Sequence, residues 1–293
     1  MKLSIHTTIT NPDYWQYAWK ESIESFLALA DEVIVIYGSE TDLRLLQNID
    51  VPHGKELKWA YLEWPYNFSW DEISRHNNLG YSLCTGDWVM KTDCDYVFHE
   101  NDIKNMRTQL EKYLEEGWLA CSFMKYTIMN KDRAYQKVHL PFILNKKMLG
   151  DTVGYGPSTT ENTAWGYPIH RDEFDDELGL PKGRSIDPSV VRSTGVDCWN
   201  YDNFFKDKKI TGEQFLRFSH SRDKAGFGAT WGKTKEEALK KFCEMSASRL
   251  KKTGATYKPL SLDDHPKFVR DKVKNMTEDQ MGYNNWNNFE GIL

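Results

Sequence analysis

The stretch Asn78–Phe98, NLGYSLCTGDWVMKTDCDYVF, decides how the rest of the chain is read. It reads as a helix, a Gly86-Asp87 turn, a short apolar strand from Trp88 to Thr92, and then two aspartates separated by a single residue, Asp93 and Asp95. Side chains alternate in extended backbone, so Asp-x-Asp at a strand end places both carboxylates on one side of the chain. Two carboxylates that close repel each other unless something positive sits between them. A hard divalent cation carrying a diphosphate is one source of that charge, since such ions take oxygen ligands. Two solvated acids at a surface turn are the plainer reading.

Upstream, the pattern is strand, helix, strand. Leu3–Ile9 is a short apolar-rich strand ending in threonines, and Asn11-Pro12-Asp13 is a turn and helix start. Tyr14–Ala30 has helical spacing, with Trp15, Trp19, Ile23, Phe26 and Leu27 on one face. Val33–Tyr37 is a continuous apolar run, the kind buried on both faces of a parallel sheet. A polar loop is expected over Gly38–Asp42, a third strand over Leu57–Trp64 and a helix over Trp70–Leu83. Repeated βαβ units predict an α/β fold, a mostly parallel twisted sheet flanked by helices. Ligands of such sheets bind beyond the carboxyl ends of the strands, here Thr7/Thr8, Tyr37 to Asp42, and Asp93/Asp95. No GxGxxG or GxxxxGK[ST] stands at these ends, so neither a dinucleotide fingerprint nor a P-loop is supported.

Downstream, Asn101–Glu116 is an amphipathic helix and Trp118–Met129 a fifth strand. Residues 130–193 are rich in Gly and Pro and read as a long irregular segment, an acceptor-binding loop or lid on one reading and a plain structural excursion on the other. Asp197–Lys206 reads as a short helix opened by an acid, Glu213–His220 as a strand, and Lys233–Lys252 and Asp263–Asp279 as helices. Residues 233–258 carry eight Lys/Arg against three Glu. A solvated helix face explains that charge; a phosphate or peripheral membrane contact is the alternative.

The 293 residues suffice for one large α/β domain with a C-terminal extension, and 40% hydrophobic against 28% charged residues predicts a packed core. Aromatics make up 14%, a composition that suits flat contacts with sugars or bases as well as core packing. A net charge of −5 disfavours a nucleic-acid partner. No apolar run is long enough to span a membrane and no signal-peptide pattern is seen. Five scattered cysteines without a CxxC pair argue against a disulfide framework or zinc site and fit a reducing, cytoplasmic compartment.

Residues 78–98, through Asn78-Leu79-Gly80, Thr85-Gly86-Asp87-Trp88 and Asp93-Cys94-Asp95, resemble the donor-binding half of family-2 glycosyltransferases of the GT-A (Rossmann-like) fold. The order of two upstream βα units agrees, so the likeness covers roughly residues 1–125. That family often has Arg immediately before the Asn; here the position is Asn77. His220-Ser221-Arg222-Asp223-Lys224 is similar to the segment of β-1,4-galactosyltransferases whose His completes a metal site, with Arg217 where that family has a ligating Met. The resemblance implies a glycosyltransferase domain over 1–232, divided into a nucleotide-sugar-binding half (1–125) and an acceptor and catalytic half (126–232), with a helical C-terminal extension over 233–293.

The implied reaction moves a sugar from a nucleoside-diphosphate sugar, UDP favoured over GDP, to a glycan or other hydroxyl acceptor with inversion. A metal would neutralise the charge building on the departing diphosphate. Asp95 is the first candidate for direct ligation, Asp93 for a water-mediated or ribose contact, and His220 for the third ligand, which favours Mn²⁺ over Mg²⁺. The donor's base is expected near Tyr37, Gly38 and Asp42 with Thr7 and Thr8 close by, and Asn78 lies on the donor-side helix. Inversion needs a carboxylate as general base. Asp197, ahead of its expected helix, is the candidate, with Asp187 and Asp172 in reserve. Asp93–Val97 also satisfies the Asp-x-Asp-x-[Thr/Val] nucleophile motif of haloacid-dehalogenase-type phosphatases, and a non-enzymatic glycan-binding module is a third reading.

Overall fold

Four parallel strands form because the apolar runs of the first ninety residues are separated by helices long enough to cross back over the sheet. In the computed structural model the described residues are 1–156, 168–171, 173–175, 180–224, 231–252 and 257–283. The strands of the first half are β1 (Leu3–Ile9), β2 (Glu32–Tyr37), β3 (Glu56–Tyr61), β4 (Trp88–Lys91), β5 (Tyr96–Phe98), β6 (Ala120–Asn130) and β7 (Arg133–Asn145). Between them run helices α1 (Trp19–Leu29), α2 (Glu40–Leu46), α3 (Trp70–Leu83) and α4 (Glu100–Glu115). The short elements α5 (Lys146–Leu149), β8 (Val153–Gly154), β9 (Ile169–His170), β10 (Glu173–Asp175) and β11 (Leu180–Lys182) follow. The chain then forms β12 (Val191–Asn200), α6 (Lys208–Lys224), α7 (Lys235–Lys252), β13 (Tyr257–Pro259) and α8 (Lys267–Lys274).

The main sheet has the order β3-β2-β1-β4-β7-β6-β12-β5, with β13 paired to β7. β3, β2, β1 and β4 are mutually parallel. β7 runs antiparallel to both β4 and β6, and β12 lies parallel to β6. β6 and β12 therefore point the same way as β1 and β4, and their carboxyl ends share one rim. β5, antiparallel to β12, closes the far edge.

Val33, Ile34, Val35 and Ile36 are fully buried, Val33 and Val35 against the core with Phe26 and Leu110, Ile34 and Ile36 against Tyr81 of α3 and Cys84 just after it. This is the two-sided burial expected of a continuous apolar strand. α3 approaches β1 closely. A Cβ on Gly80 would lie 2.6 Å from Nδ1 of His6, which is fully buried and whose pKa falls to about 3, through burial first and then the charges of Lys91 and Lys146. At the opposite end of the strands, buried Glu32 binds Lys58 Nζ (2.7 Å), the Thr85 amide (2.8 Å) and the Ser4 hydroxyl. A Cβ on Gly86 would stand 2.7 Å from the Ser4 backbone nitrogen, so this turn, which launches β4, needs glycine. All five cysteines are buried free thiols.

Three expectations for the second half are corrected. Residues 133–145 form a long strand. Pro141 hides it in the sequence, and Pro141 and Phe142 fall where the β6–β7 register jumps between Leu140 and Ile143. Asp197–Lys206 does not open a helix, because Val196 and Cys198 enter the main core and β12 runs on to Asn200. Glu213–His220 is helix α6, not a strand. From Ile210 to Phe215 every residue is buried, so no amphipathic stripe marks it. The loop expected over Gly38–Asp42 gives way to α2 at Glu40, where Ser39 accepts the Asp42 amide as an N-cap (3.3 Å).

α6 packs on α7 through Phe215 and Phe242, whose rings are stacked 4.2 Å apart, and through Gly212 against the Lys235 carbonyl. It also gathers the loops that follow β1 and β3. Glu213 accepts from Tyr14 (2.7 Å) and Tyr66 (3.2 Å) and pairs with Lys235, while the Ser221 hydroxyl donates to the Phe68 carbonyl (2.8 Å). α6 is thereby held over the rim where the parallel strands end.

Candidate functional site

β4 stops at Lys91, and Asp93-Cys94-Asp95 forms a turn, closed by the Tyr96 amide on the Asp93 carbonyl (3.1 Å), that hands the chain to β5. The two acids are thus held by a turn rather than by extended backbone, and their surroundings differ. The Asp93 side chain is 47% exposed and is paired at 2.7 Å with Lys91, itself buried. Desolvation would raise the Asp93 pKa, but the Lys91 charge and hydrogen bond, with Lys125 behind them, hold it below the ordinary carboxylate range.

Asp95 is buried, at 6% exposure, and its Oδ1 has no hydrogen-bond partner among the described residues. Its backbone carbonyl accepts the Tyr201 amide (2.9 Å), which ties the turn to the end of β12. Burial, then Asp202 and then Asp93, push its carboxyl up to about 8, against the pull of Lys206 and Lys125. A buried carboxylate oxygen without a donor, beside two further carboxylates, is a place short of positive charge.

Asp202, Lys206 and Tyr17 complete this cluster, and sequence reasoning did not single them out. Lys206 is almost fully buried, donates to Asp202 (2.9 Å) and lies 4.0 Å from the Tyr17 ring centroid. The available signal was positional: Asp202 lies in the turn after the last strand reaching the same rim as Asp93. The turn there is tight, with Asn203 at φ 49°.

The other expected site residues disperse. Thr7 is buried at the end of β1 with Oγ1 unpartnered among the described residues, and Thr8 is half-buried beside it. Tyr37 ends β2, one strand beyond β1, its ring 5.5 Å from that of Tyr61; two strand spacings, about 10 Å, separate it from the end of β4. Gly38 packs closely, since a Cβ there would lie 2.9 Å from both Thr10 Oγ1 and Trp64 Cβ. Asp42 does not line a loop. It is fully buried on α2 and accepts the Asn11 amide (2.9 Å), tying α2 to the turn after β1. The Asn78 side chain is occupied by the backbone of Tyr155 on both its oxygen and its nitrogen.

Asp197 sits within β12, paired in register with Met124 rather than at a helix start, and its charge bears on Tyr126. Asp187 caps a short 3-10 turn through the Ser189 amide (2.8 Å) before β12 begins, at the opposite end of that strand from Asp202. Over ten residues that separation is roughly 30 Å. Neither meets the Asp-x-Asp turn. Asp172 lies outside the described residues. His220 is exposed on α6 instead of closing a strand, and among the described residues no three His, Cys, Asp or Glu side chains converge as a metal cage. The carboxylates present still fit a hard, oxygen-seeking cation at Asp95, with the remaining ligands coming from substrate and water.

No protein-family model and no curated protein matches the chain. Among solved structures, the 1–349 fragment of TarS from S. aureus aligns over 86% of this chain and 75% of its own, at 14% identity and a TM-score of 0.40. The same fragment in complex with UDP-GlcNAc aligns over 86% and 73%, at 12% identity and 0.41. A 4-diphosphocytidyl-2C-methyl-D-erythritol synthase from Anaerococcus prevotii covers 50% of this chain and 71% of its own, at 11% identity and 0.35. Likeness this distant transfers no residue role. Among the described residues no helix is long and apolar enough to cross a membrane.

Proposed function

We propose that the chain is a metal-dependent glycosyltransferase of GT-A type that takes a nucleoside-diphosphate sugar, UDP first among the nucleotides to test, and transfers its sugar to a hydroxyl acceptor with inversion. The observation that carries this reading is Asp95: a buried carboxylate with an unpartnered oxygen, flanked by Asp202 and Asp93, on the rim where the strands of the parallel half end. Asp95 would hold a Mn²⁺ or Mg²⁺ ion, with Asp93 beside it, and the ion would offset charge on the departing diphosphate. His220 has no part in this version.

The protein's own groups divide the remaining work. Lys91 keeps Asp93 ionised and fixed, and Lys206 holds the Asp202 carboxylate in place through its 2.9 Å bond. Asp202, 35% exposed and adjoining Asp95, replaces Asp197 as the carboxylate that accepts the proton of the acceptor hydroxyl. Thr7, Thr8 and Tyr37, at the ends of β1 and β2, line the approach to the donor's nucleoside.

Calorimetry with UDP and with GDP, in Mn²⁺ and in EDTA, tests the reading. A metal-dependent component of nucleoside-diphosphate binding that disappears in Asp95→Ala is expected. Binding indifferent to both the metal and Asp95 would refute it.

A further inference from the structure

Arg217 is a buried cation without a counter-ion among the described residues. It lies on α6 with 9% of its surface exposed, and no carboxylate stands within ion-pair distance of it among the described residues. The acid one turn earlier on the helix, Glu213, is committed to Lys235, Tyr14 and Tyr66. The guanidinium is nevertheless fixed. Nε donates to the Tyr66 carbonyl and Nη2 to the Pro65 carbonyl (3.1 Å), and the guanidinium carbon lies 4.8, 5.2 and 5.3 Å from the ring centroids of Phe68, Trp15 and Tyr66. Nη1 has no acceptor among the described residues.

Desolvating a charge is costly, and aromatic faces and two carbonyls offset only part of that cost. An exogenous anion completes the arrangement. Its position agrees. Pro65 and Tyr66 belong to the loop after β3 and Trp15 to the loop after β1, both on the rim of the Asp-x-Asp turn. Tyr17 feels the charges of Asp202 and Asp95 on one hand and of Arg217 on the other. Gln214, one turn from Arg217 and also buried, reaches the Tyr17 hydroxyl at 3.5 Å and leaves its Oε1 unpartnered among the described residues.

We propose that Arg217 is the oxyanion-binding group of this site, its free Nη1 edge receiving phosphate oxygens of the donor's diphosphate. The identification of that diphosphate rests on the glycosyltransferase reading above; the anion site itself does not. A guanidinium held flat by two carbonyls presents its remaining donors in a fixed fork, which matches two phosphate oxygens and which a lysine does not reproduce.

The test is titration of inorganic pyrophosphate and of UDP in EDTA, and again in Mn²⁺, on the wild-type chain, Arg217→Met and Arg217→Gln. Pyrophosphate should bind the wild type without metal, and either variant should weaken it at least about tenfold, the effect of losing a charge-assisted hydrogen bond. Arg217→Gln retains an amide for the carbonyls, so it serves where Arg217→Met fails to fold. Wild-type protein that ignores pyrophosphate in EDTA, or equal affinity in whichever variant folds, overturns the assignment. Manganese-dependent UDP binding that survives both substitutions removes Arg217 alone and leaves the enzyme reading standing. Pyrophosphate held through Arg217 by a chain that binds no UDP in either condition assigns the site to free phosphates and overturns the donor.

Discussion

Asn78 and Tyr155 are joined by a reciprocal pair of hydrogen bonds: the Asn78 amide nitrogen donates to the Tyr155 carbonyl at 2.7 Å, and its oxygen accepts the Tyr155 amide at 2.9 Å. One side chain on α3 thus substitutes for a strand partner and clamps the backbone that follows β8. Tyr155, at 1% exposure, then reaches His6 through its hydroxyl (3.3 Å). Asn78→Ala leaves a donor and an acceptor unmatched and should cost roughly 2–4 kcal/mol, read as a lower urea midpoint at unchanged m-value. Nucleotide affinity of the folded variant should not change. A fall in affinity at full folding would return Asn78 to the donor site.

Gly80→Ala should also destabilise, against the usual trend. In an exposed helix interior the change favours folding by about 1 kcal/mol. Here the new methyl carbon would stand 2.6 Å from the ring of buried His6, and overpacking of this kind costs roughly 1–3 kcal/mol. Thermal melts decide the sign.

His6 gives a pH signature. Its pKa is about 3 in the folded chain and 6.5 in a free imidazole, so between those values the unfolded state holds a proton that the folded state lacks. Its contribution is complete above pH 6.5 and is lost as pH falls toward 3, at about 1.4 kcal/mol per pH unit from this group. Glu32, drawn down to about 2 by its bonds to Lys58, Ser4 and Thr85 in spite of burial, adds a loss in the same direction below pH 4.5. Urea midpoints measured from pH 7 to pH 4.5 should therefore fall in the wild type and fall less steeply in His6→Asn.

The parallel half of the fold was legible because each of its strands declares itself locally. Leu3–Ile9 and Val33–Ile36 are apolar runs, and Trp70–Leu83 is bounded by a serine before it and a turn after it. The other half was hidden by tertiary context. β7 contains a proline at a register break, and α6 is buried on all sides from Ile210 to Phe215 and so lacks there the periodicity that marks a helix. The Asp-x-Asp turn could be found because its two acids are two residues apart. Asp202 could not, since it is 107 residues from Asp95 and meets it only once β12 crosses to β5. The helix start expected at Asp197 failed for the same reason: without the sheet, nothing in VDCWN shows that the strand continues past it.

Asp95→Asn should separate stability from function. Replacing a buried, partnerless carboxylate by an amide should raise the melting temperature of cation-free protein at pH 8 by a few degrees, equivalent to roughly 1–2 kcal/mol. In wild type, Mn²⁺ at a hundred times its dissociation constant should add about 2.7 kcal/mol; in the variant that increment should vanish. Differential scanning fluorimetry with and without EDTA distinguishes the two. A variant less stable than wild type in EDTA would mean that Asp95 is already neutralised within the fold.

Asp202 and Lys206 provide the decisive comparison for catalysis. Asp202→Asn should lower transfer at least about a hundredfold, the scale of a lost general base, whereas Asp197→Asn should be nearly silent because that acid lies within β12, away from the Asp-x-Asp turn. Asp202→Asn has a second effect. It strips the partner from Lys206, which is 1% exposed, and should destabilise the chain by about 1–3 kcal/mol, discounted because Asp202 itself is partly solvated. Adding Lys206→Met removes the stranded charge and should recover most of that stability. If transfer stays absent in the stabilised double variant, the carboxylate itself is the missing chemistry. If activity returns with stability, Asp202 supports the fold and another base must be sought.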